Sequence, residues 1–158
     1  MQKITTYLWY DNQAEEAAAF YTSIFKNSRI LEVQRVGEGA PGEQGQAMLV
    51  TFELAGQKFI ALNGGPQFPF TEAISLYVDC EDQAEVDELW AKLVEGGEEG
   101  QCGWLKDRYG VSWQIIPKAL PELLRDPDPE KAGRTMQVML GMRKIDVRAL
   151  RDAHAGVA

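Results

Sequence analysis

The segment KITTYLWYDNQAEEAAAFYTSIFK, residues 3–26, changes its hydrophobic pattern from that of a strand to that of a helix. Residues 3–10 are rich in β-branched and aromatic side chains, which favours a strand ending before Asp11. Asn12 followed by Glu15 predicts a capping box at the start of the helix. The predicted apolar stripe of this helix consists of Ala14, Ala17, Ala18, Tyr21, Ile24 and Phe25.

The same strand–helix order returns in the second half of the chain. AISLYVDC, residues 73–80, reads as a strand, and DQAEVDELWAKLVEGG, residues 82–97, reads as a helix with Asp82 at its N-terminal cap. Three extended segments follow the first helix, at 29–36, 47–54 and 58–63, and further extended segments follow the second. The two helices begin about 70 residues apart, which predicts a duplicated β-α-β-β-β unit.

This duplication predicts an α+β fold made of two βαβββ modules in a single structural domain. We expect the modules to span residues 1–68 and 69–120, and a helical C-terminal extension to span residues 121–158. Neither module could cover its own sheet alone, so the two are expected to pack together.

Composition excludes several classes of protein. Of the 158 residues, 45% are apolar and 25% are charged, which is ordinary for a globular protein in solution. The net charge of −8 and the lack of a basic stripe argue against a nucleic-acid partner. No apolar run approaches the roughly 20 residues that cross a membrane, and the polar N-terminus does not resemble a signal peptide. Two cysteines, Cys80 and Cys102, are too few for a disulfide framework, so we expect a cytoplasmic protein with buried, inert thiols.

The only histidine, His154, lies in the last residues of the chain, where fraying is expected. A cluster of histidines around a metal is therefore impossible, and so is a core catalytic centre of the Ser-His-Asp or Cys-His kind.

A dinucleotide motif is matched only in letters. GEGAPG, Gly37–Gly42, fits G-x-G-x-x-G, but a further strand follows it, whereas the true motif needs a helix whose N-terminus holds the pyrophosphate. We predict a hairpin loop there. No other strand–glycine loop–helix unit occurs, which argues against an ordinary S-adenosylmethionine site.

The hairpin WLKDRYGVSWQIIP, residues 104–117, places a polar side chain on its return strand. Val111, Trp113 and Ile115 form an apolar face, and Gln114 lies on the other. Asp107 reads as a turn residue. Gln114 either belongs to a working site or simply hydrogen-bonds to backbone, and the residues alone leave both readings open.

Several segments together carry a resemblance to a known family. They are YLWYDNQAEEAAAFYTSIF, FIALNGGPQFPF, SLYVDCEDQAEVDELWAKL, CGWLKDRYGVSWQIIP and DPDPEKAGRTMQVMLGMRKID. They resemble the PhnB-like, or 3-demethylubiquinone-9 3-methyltransferase-like, family of the vicinal oxygen chelate superfamily, which includes glyoxalases, bleomycin-resistance proteins and extradiol dioxygenases. The resemblance implies that the two modules curl into an incomplete barrel around a cavity, often within a dimer.

The resemblance also implies where a metal would bind. Metal-using members hold a divalent ion with a histidine from the first strand of each module and a glutamate four residues after the glycine of the last hairpin. In this sequence Gly110 leads to Gln114 at that place, and the first-strand position lies near Thr6, so no histidine is present. A neutral amide is a weak metal ligand, and we therefore expect no metal and no other cofactor.

An amide is better suited to hydrogen bonds with a neutral polar ligand. Trp9 and Trp104 are candidates for the wall of the cavity, and the competing interpretation is that they are core residues, as tryptophans of a small domain often are. The predicted cavity residues are Gln114, Thr6, Asn63, Ser75, Trp9 and Trp104.

Three functions remain open at this stage. The first is metal-independent binding of a small polar or aromatic metabolite in the barrel cavity. The second is an isomerase, lyase or transferase that uses acid–base residues of the same cavity. The third is a dimeric interaction module whose cavity is vestigial.

The C-terminal segment predicts a homodimer. Its apolar stripe, Met136, Met139 and Leu140, with Val138 and Met142 nearby, offers more apolar surface than one edge of a small barrel needs. The alternative is that this helix covers the sheet of its own chain.

Overall fold

The structure is a computed structural model, and it describes residues 2–39 and 42–157. The chain forms two compact units, Met1–Phe70 and Thr71–Ala158. In the first unit, the strands are β1 (Thr6–Tyr10), β2 (Arg29–Arg35), β3 (Ala47–Leu54) and β4 (Gln57–Asn63), and the helix is α1 (Ala14–Ile24).

In the second unit, the strands are β5 (Ser75–Cys80), β6 (Glu98–Glu99), β7 (Trp104–Lys106) and β8 (Ser112–Pro117). The helices are α2 (Gln83–Val94), α3 (Ala119–Leu124), α4 (Pro129–Leu140) and α5 (Val147–Ala155). The second unit thus contains both the second module and the helical extension.

The two sheets have the same topology. The strand order is β1-β4-β3-β2 in one and β5-β8-β7-β6 in the other. In each, the first strand pairs in parallel with the last, and the remaining pairs are antiparallel. The predicted α+β fold with a duplicated βαβββ module is confirmed, and the two sheets are not closed into one barrel. The predicted limits of the modules, at residues 68 and 120, stay a prediction.

Helix α1 packs through small residues. Ala14, Ala17, Ala18 and Tyr21 are buried, and the Tyr10 and Tyr21 hydroxyls lie 3.0 Å apart. The predicted capping box at Asn12 is wrong, because Gln13 is the N-terminal cap and no side chain of the cap bonds to the helix.

Helix α2 begins as predicted. The Asp82 carboxylate accepts a hydrogen bond from the Glu85 N–H at 3.0 Å, which satisfies one of the free donors of the first turn. The helix contacts β5, β7 and β8 through a buried stripe of Val86, Leu89, Trp90 and Leu93.

Asp107 holds the hairpin between β7 and β8. Only 2% of its surface is exposed. Its Oδ1 accepts hydrogen bonds from the N–H groups of Tyr109 (2.9 Å) and Val111 (3.0 Å), and its Oδ2 accepts one from the Trp113 indole (2.9 Å). The predicted turn role is confirmed, and the same carboxylate also anchors β8.

The C-terminal helices have a core of their own. Ile116 at the end of β8 is buried with Leu120, Ile145 and Leu150. Val138, Met139 and Met142 pack against this cluster, so these residues of the predicted dimer surface cover their own chain. Met136 and Leu140 are exposed, at 40% and 53%. The homodimer stays a prediction that now depends on these two residues.

His154 does not lie in a frayed tail, so that prediction is wrong. It is part of α5, and its Nε2 lies 2.8 Å from Asp126 Oδ2. The Arg134 guanidinium donates hydrogen bonds to the carbonyls of Ala153 and His154, both at 2.8 Å, and so binds the C-terminal end of the helix.

The loop predicted at Gly37–Gly42 includes residues 40 and 41, which lie outside the described residues. On either side of it Val36 and Gln46 are hydrogen-bonded through their backbones, and β3 follows at Ala47. Across residues 2–39 and 42–157, no helix has the length and apolar character needed to span a membrane.

Candidate functional site

One face of the sheet of the second unit packs against α2, and the face opposite α2 is named the open face. Trp113 and Ile115 of β8 are buried on the side of α2, as is Val111 just before the strand, and Ser112 and Gln114 project from the other side. Because residues paired across a sheet point to the same side, the strand registers identify the neighbours of these two polar residues.

One row of polar residues crosses all four strands. Ser112 pairs with Ser75 on β5 and with Lys106 on β7, and Lys106 pairs with Glu98 on β6. The row contains two hydroxyls, one ammonium and one carboxylate. On the face toward α2 the corresponding row contains Leu76, Trp113 and Leu105, with Glu99 on β6.

The next row places Gln114 between Tyr77 on β5 and Trp104 on β7. The Gln114 side-chain N–H donates to the Ser75 hydroxyl oxygen at 2.9 Å. Within residues 2–39 and 42–157, its Oε1 accepts no hydrogen bond. Gln114 is therefore oriented by Ser75, with an acceptor left for another molecule.

A cavity of about 310 Å³ lies beside the first row. Its wall includes Trp104, Leu105, Lys106 and Ser112, together with Glu72 and the segment 98–101. Ser112 is 1% exposed, and its Oγ has no hydrogen-bond partner. A buried hydroxyl without a partner costs about 1–3 kcal/mol, so this atom needs an explanation.

The charges at the cavity are partly paired. Lys106 Nζ lies 2.8 Å from Glu72 Oε1, which lowers the pKa of Glu72 and raises that of Lys106. Glu98 raises the pKa of Lys106 further through its charge. Glu99 accepts a hydrogen bond from the Trp90 indole at 2.8 Å and lies 3.6 Å from Arg143.

Two groups with reactive chemistry are not activated. Burial raises the pKa of the Cys80 thiol to about 12, and the nearby carboxylates of Glu85 and Asp79 act in the same direction. Burial and then Asp79 also raise the pKa of Tyr77, which lies in the second row. At neutral pH both groups are protonated, so neither is a ready nucleophile or base.

The predicted site residues are divided between the two units. Gln114, Ser75 and Trp104 share the open face of the second sheet. Thr6, Asn63 and Trp9 belong to the first unit. Thr6 pairs with buried Phe59. It lies on the same face of β1 as buried Leu8, and exposed Tyr7 lies on the opposite face.

Asn63 and Trp9 already have partners in their own unit. Asn63 Oδ1 accepts from the N–H of Ala14 at 2.8 Å, and its amide donates to the Ala47 carbonyl at 2.9 Å. The Trp9 indole donates to the Gly65 carbonyl at 2.9 Å, and its ring meets Phe68 edge-on at 4.9 Å. Their ligand-binding roles stay predictions.

Sequence reasoning missed Ser112, Lys106 and Glu98. Ser112 precedes Gln114 by two residues and so had to share its face, which was an available signal. Lys106 and Glu98 become members of the row only through pairing between strands.

The donor chemistry of this face is poor for a transition metal. Gln114 is surrounded by Ser75, Tyr77 and Trp104, and none of these supplies an imidazole or a carboxylate. Over the described part of the chain, no three His, Cys, Asp or Glu side chains form a group that could hold a metal.

Comparison with known proteins supports the resemblance seen in the sequence. The profile of the 3-demethylubiquinone-9 3-methyltransferase family matches residues 2–116. The chain belongs to this PhnB-like family. A structure of a PhnB protein from Bacillus cereus, described by the same methyltransferase name, is 41% identical and covers 73% of this chain and 99% of its own, with a TM-score of 0.69.

Two more distant structures are also similar to this chain. Protein PA1353 from Pseudomonas aeruginosa is 20% identical, with a TM-score of 0.64 over 74% of this chain and 98% of its own. The fosfomycin resistance protein FosX from Listeria monocytogenes, complexed with Mn(II) and sulfate, is 17% identical over 71% of this chain and 88% of its own, with a TM-score of 0.49. No curated protein sequence matches the chain.

Proposed function

We propose that the open face of the second sheet binds a small polar or aromatic molecule without a metal. The observation that carries this proposal is the buried Ser112 Oγ without a partner in the wall of the cavity. A buried polar atom is usually hydrogen-bonded, and a ligand that reaches Ser112 would provide the missing bond.

Gln114 and Trp104 give the same face its selectivity. The Gln114 amide is fixed by Ser75 and retains an acceptor, while Trp104 belongs to the same row and also lines the cavity. Ligand sites commonly combine an apolar wall with a few fixed polar groups. A compact molecule with an aromatic or aliphatic body and one polar group suits this arrangement.

The metal-independent character of the proposal depends on Gln114. In metal-using relatives of this fold a glutamate is expected at the corresponding position, and here a neutral amide donates to Ser75 instead. The sole histidine pairs with Asp126 at the far end of the chain.

The pKa directions favour binding over catalysis. The Cys80 thiol, with a pKa of about 12, stays protonated, and so does the Tyr77 phenol, whose pKa is raised. A catalytic base or nucleophile is expected to have its pKa moved toward the working pH.

The test is a titration with benzamide, a neutral probe with a ring and an amide, followed by NMR of the backbone amides and tryptophan indoles. We expect shifts at Ser112 and Trp104, and an affinity about three- to tenfold lower in Ser112→Ala because one hydrogen bond is lost. The control is Ser23→Ala, which removes an exposed hydroxyl that bonds to the Phe20 carbonyl on α1.

A second signature separates binding from folding. Ser112→Ala removes an unsatisfied atom, so the free protein should be at least as stable as the wild type, although it binds the probe less well. Equal affinity in both proteins, or no shift at Ser112 and Trp104, would remove the support for a site on this face.

A further inference from the structure

We propose that the ligand of this cavity is a small organic amine in its cationic, N–H-bearing form. This inference rests on the proposed function and specifies its ligand class. It is based on the balance of charge at the cavity, on the unpaired Ser112 hydroxyl and on the position of Trp104.

Negative charge is in excess at the cavity wall. The wall residues include three acids, Glu72, Glu98 and Glu99, and one lysine, Lys106. The Glu99 carboxylate is held by the Trp90 indole on α2. Glu72 lies 2.8 Å from Lys106 and satisfies it, and Arg143 lies 3.6 Å from Glu99. Among the described residues, Glu98 then remains without an ion pair, although its charge raises the pKa of the neighbouring Lys106.

Glu98 is exposed, and it is paired in register with Lys106 across the two strands. Within residues 2–39 and 42–157 it makes no ion pair and no side-chain hydrogen bond. An anionic ligand would have to displace Glu72 from Lys106 and would still be repelled by Glu98. A cation meets an unpaired carboxylate without breaking any bond.

Two further groups suit a cation. The Ser112 Oγ can accept a hydrogen bond from an ammonium N–H, and it is buried in the wall without a partner. Trp104 also lines the cavity, and the face of an indole attracts cations placed within about 6 Å of the ring centre. A neutral ligand would use Ser112 but would gain nothing from Glu98.

The experiment compares three probes of similar shape and different charge by calorimetric titration at neutral pH: benzylamine, benzamide and benzoate. We expect the affinity for benzylamine to be at least about threefold higher than that for benzamide, which is the gain expected from one partly exposed ion pair. Benzoate should bind most weakly. Added salt should weaken the binding of benzylamine and leave the binding of benzamide unchanged.

Two substitutions should act in opposite directions. Glu98→Gln removes the unpaired carboxylate and should lower the affinity for benzylamine about threefold without changing the affinity for benzamide. Lys106→Gln removes the competing ammonium and should strengthen benzylamine. The control is Glu130→Gln, which changes the net charge equally but alters an exposed residue in the first turn of α4. Simple damage to the site would weaken binding in both cavity variants.

The outcomes separate the two proposals. Benzamide binding as tightly as benzylamine, with shifts at Ser112, would overturn the cation inference and leave the proposed function standing. Benzoate binding most tightly would overturn the inference in favour of an anion. No binding by any probe would overturn both.

Discussion

The buried carboxylate of Asp107 should be among the most sensitive positions of the second unit. It accepts hydrogen bonds from the N–H groups of Tyr109 and Val111 and from the Trp113 indole. Asp107→Ala leaves these donors without a partner in an environment where the carboxylate is only 2% exposed. Hydrogen bonds to a charged group contribute about 1.5–3 kcal/mol each, but partial rearrangement recovers some of this, so we expect a loss of about 3–5 kcal/mol.

Asp107→Asn gives a finer test of the same geometry. The amide oxygen can still accept from Tyr109 and Val111, but the amide N–H₂ then faces the Trp113 N–H, and two donors meet. We expect a loss of about 2–3 kcal/mol, smaller than that of Asp107→Ala.

The assay is urea unfolding followed by far-ultraviolet circular dichroism, with Asp152→Ala as the control. Asp152 is an exposed carboxylate on α5, and its loss should change stability by less than about 0.5 kcal/mol. If Asp107→Ala unfolds within about 1 kcal/mol of the wild type, the role assigned to this carboxylate is refuted.

Three further predictions concern the caps, the acid limit and the assembly. Asn63→Ala removes the acceptor of the Ala14 N–H and should cost about 1–2 kcal/mol in urea unfolding; no loss would contradict this capping role. The Asp126 pKa is lowered, first by the Asp128 backbone N–H and then by His154, so the stability it contributes is present above the unfolded pKa of about 3.9 and is lost as the pH falls through the lower folded value. Asp126→Asn should remove that part of the acid sensitivity, measured as urea midpoints at neutral and acid pH; an unchanged difference would contradict the assignment. Leu140→Lys should shift a dimer toward the 17.6 kDa monomer in light scattering, and a wild type that is already monomeric would refute the dimer.

The fold was predictable because local signals agreed with one another. The strand-to-helix change near Asp11 and its repetition near Asp82 both lie where the structure has them. The prediction of a capping box at Asn12 was wrong because Asn63, at the end of β4, caps the first turn of α1. Asn63 is 49 residues away in sequence from Ala14, from whose N–H it accepts a hydrogen bond. A local pattern cannot show a cap supplied by a distant strand.

The candidate site was predictable only where alternation along one strand decides it. Gln114 had to lie opposite Trp113, and the structure places it on the open face. Thr6 illustrates the limit, because a shift of one residue moves a side chain to the other face, and only the pairing with Phe59 reveals its side. The row formed by Ser112, Lys106 and Glu98 requires two strand pairings, which the sequence does not specify.

Native mass spectrometry of the freshly purified protein, wild type beside Ser112→Ala, tests the central claim most directly. If the cavity holds a small molecule through Ser112, the wild type should carry an additional mass above its 17.6 kDa chain that is released on denaturation, and the variant should carry it at much lower occupancy. The same retained mass at equal occupancy in both proteins, or the bare chain in both, would contradict the claim that Ser112 forms part of a binding site.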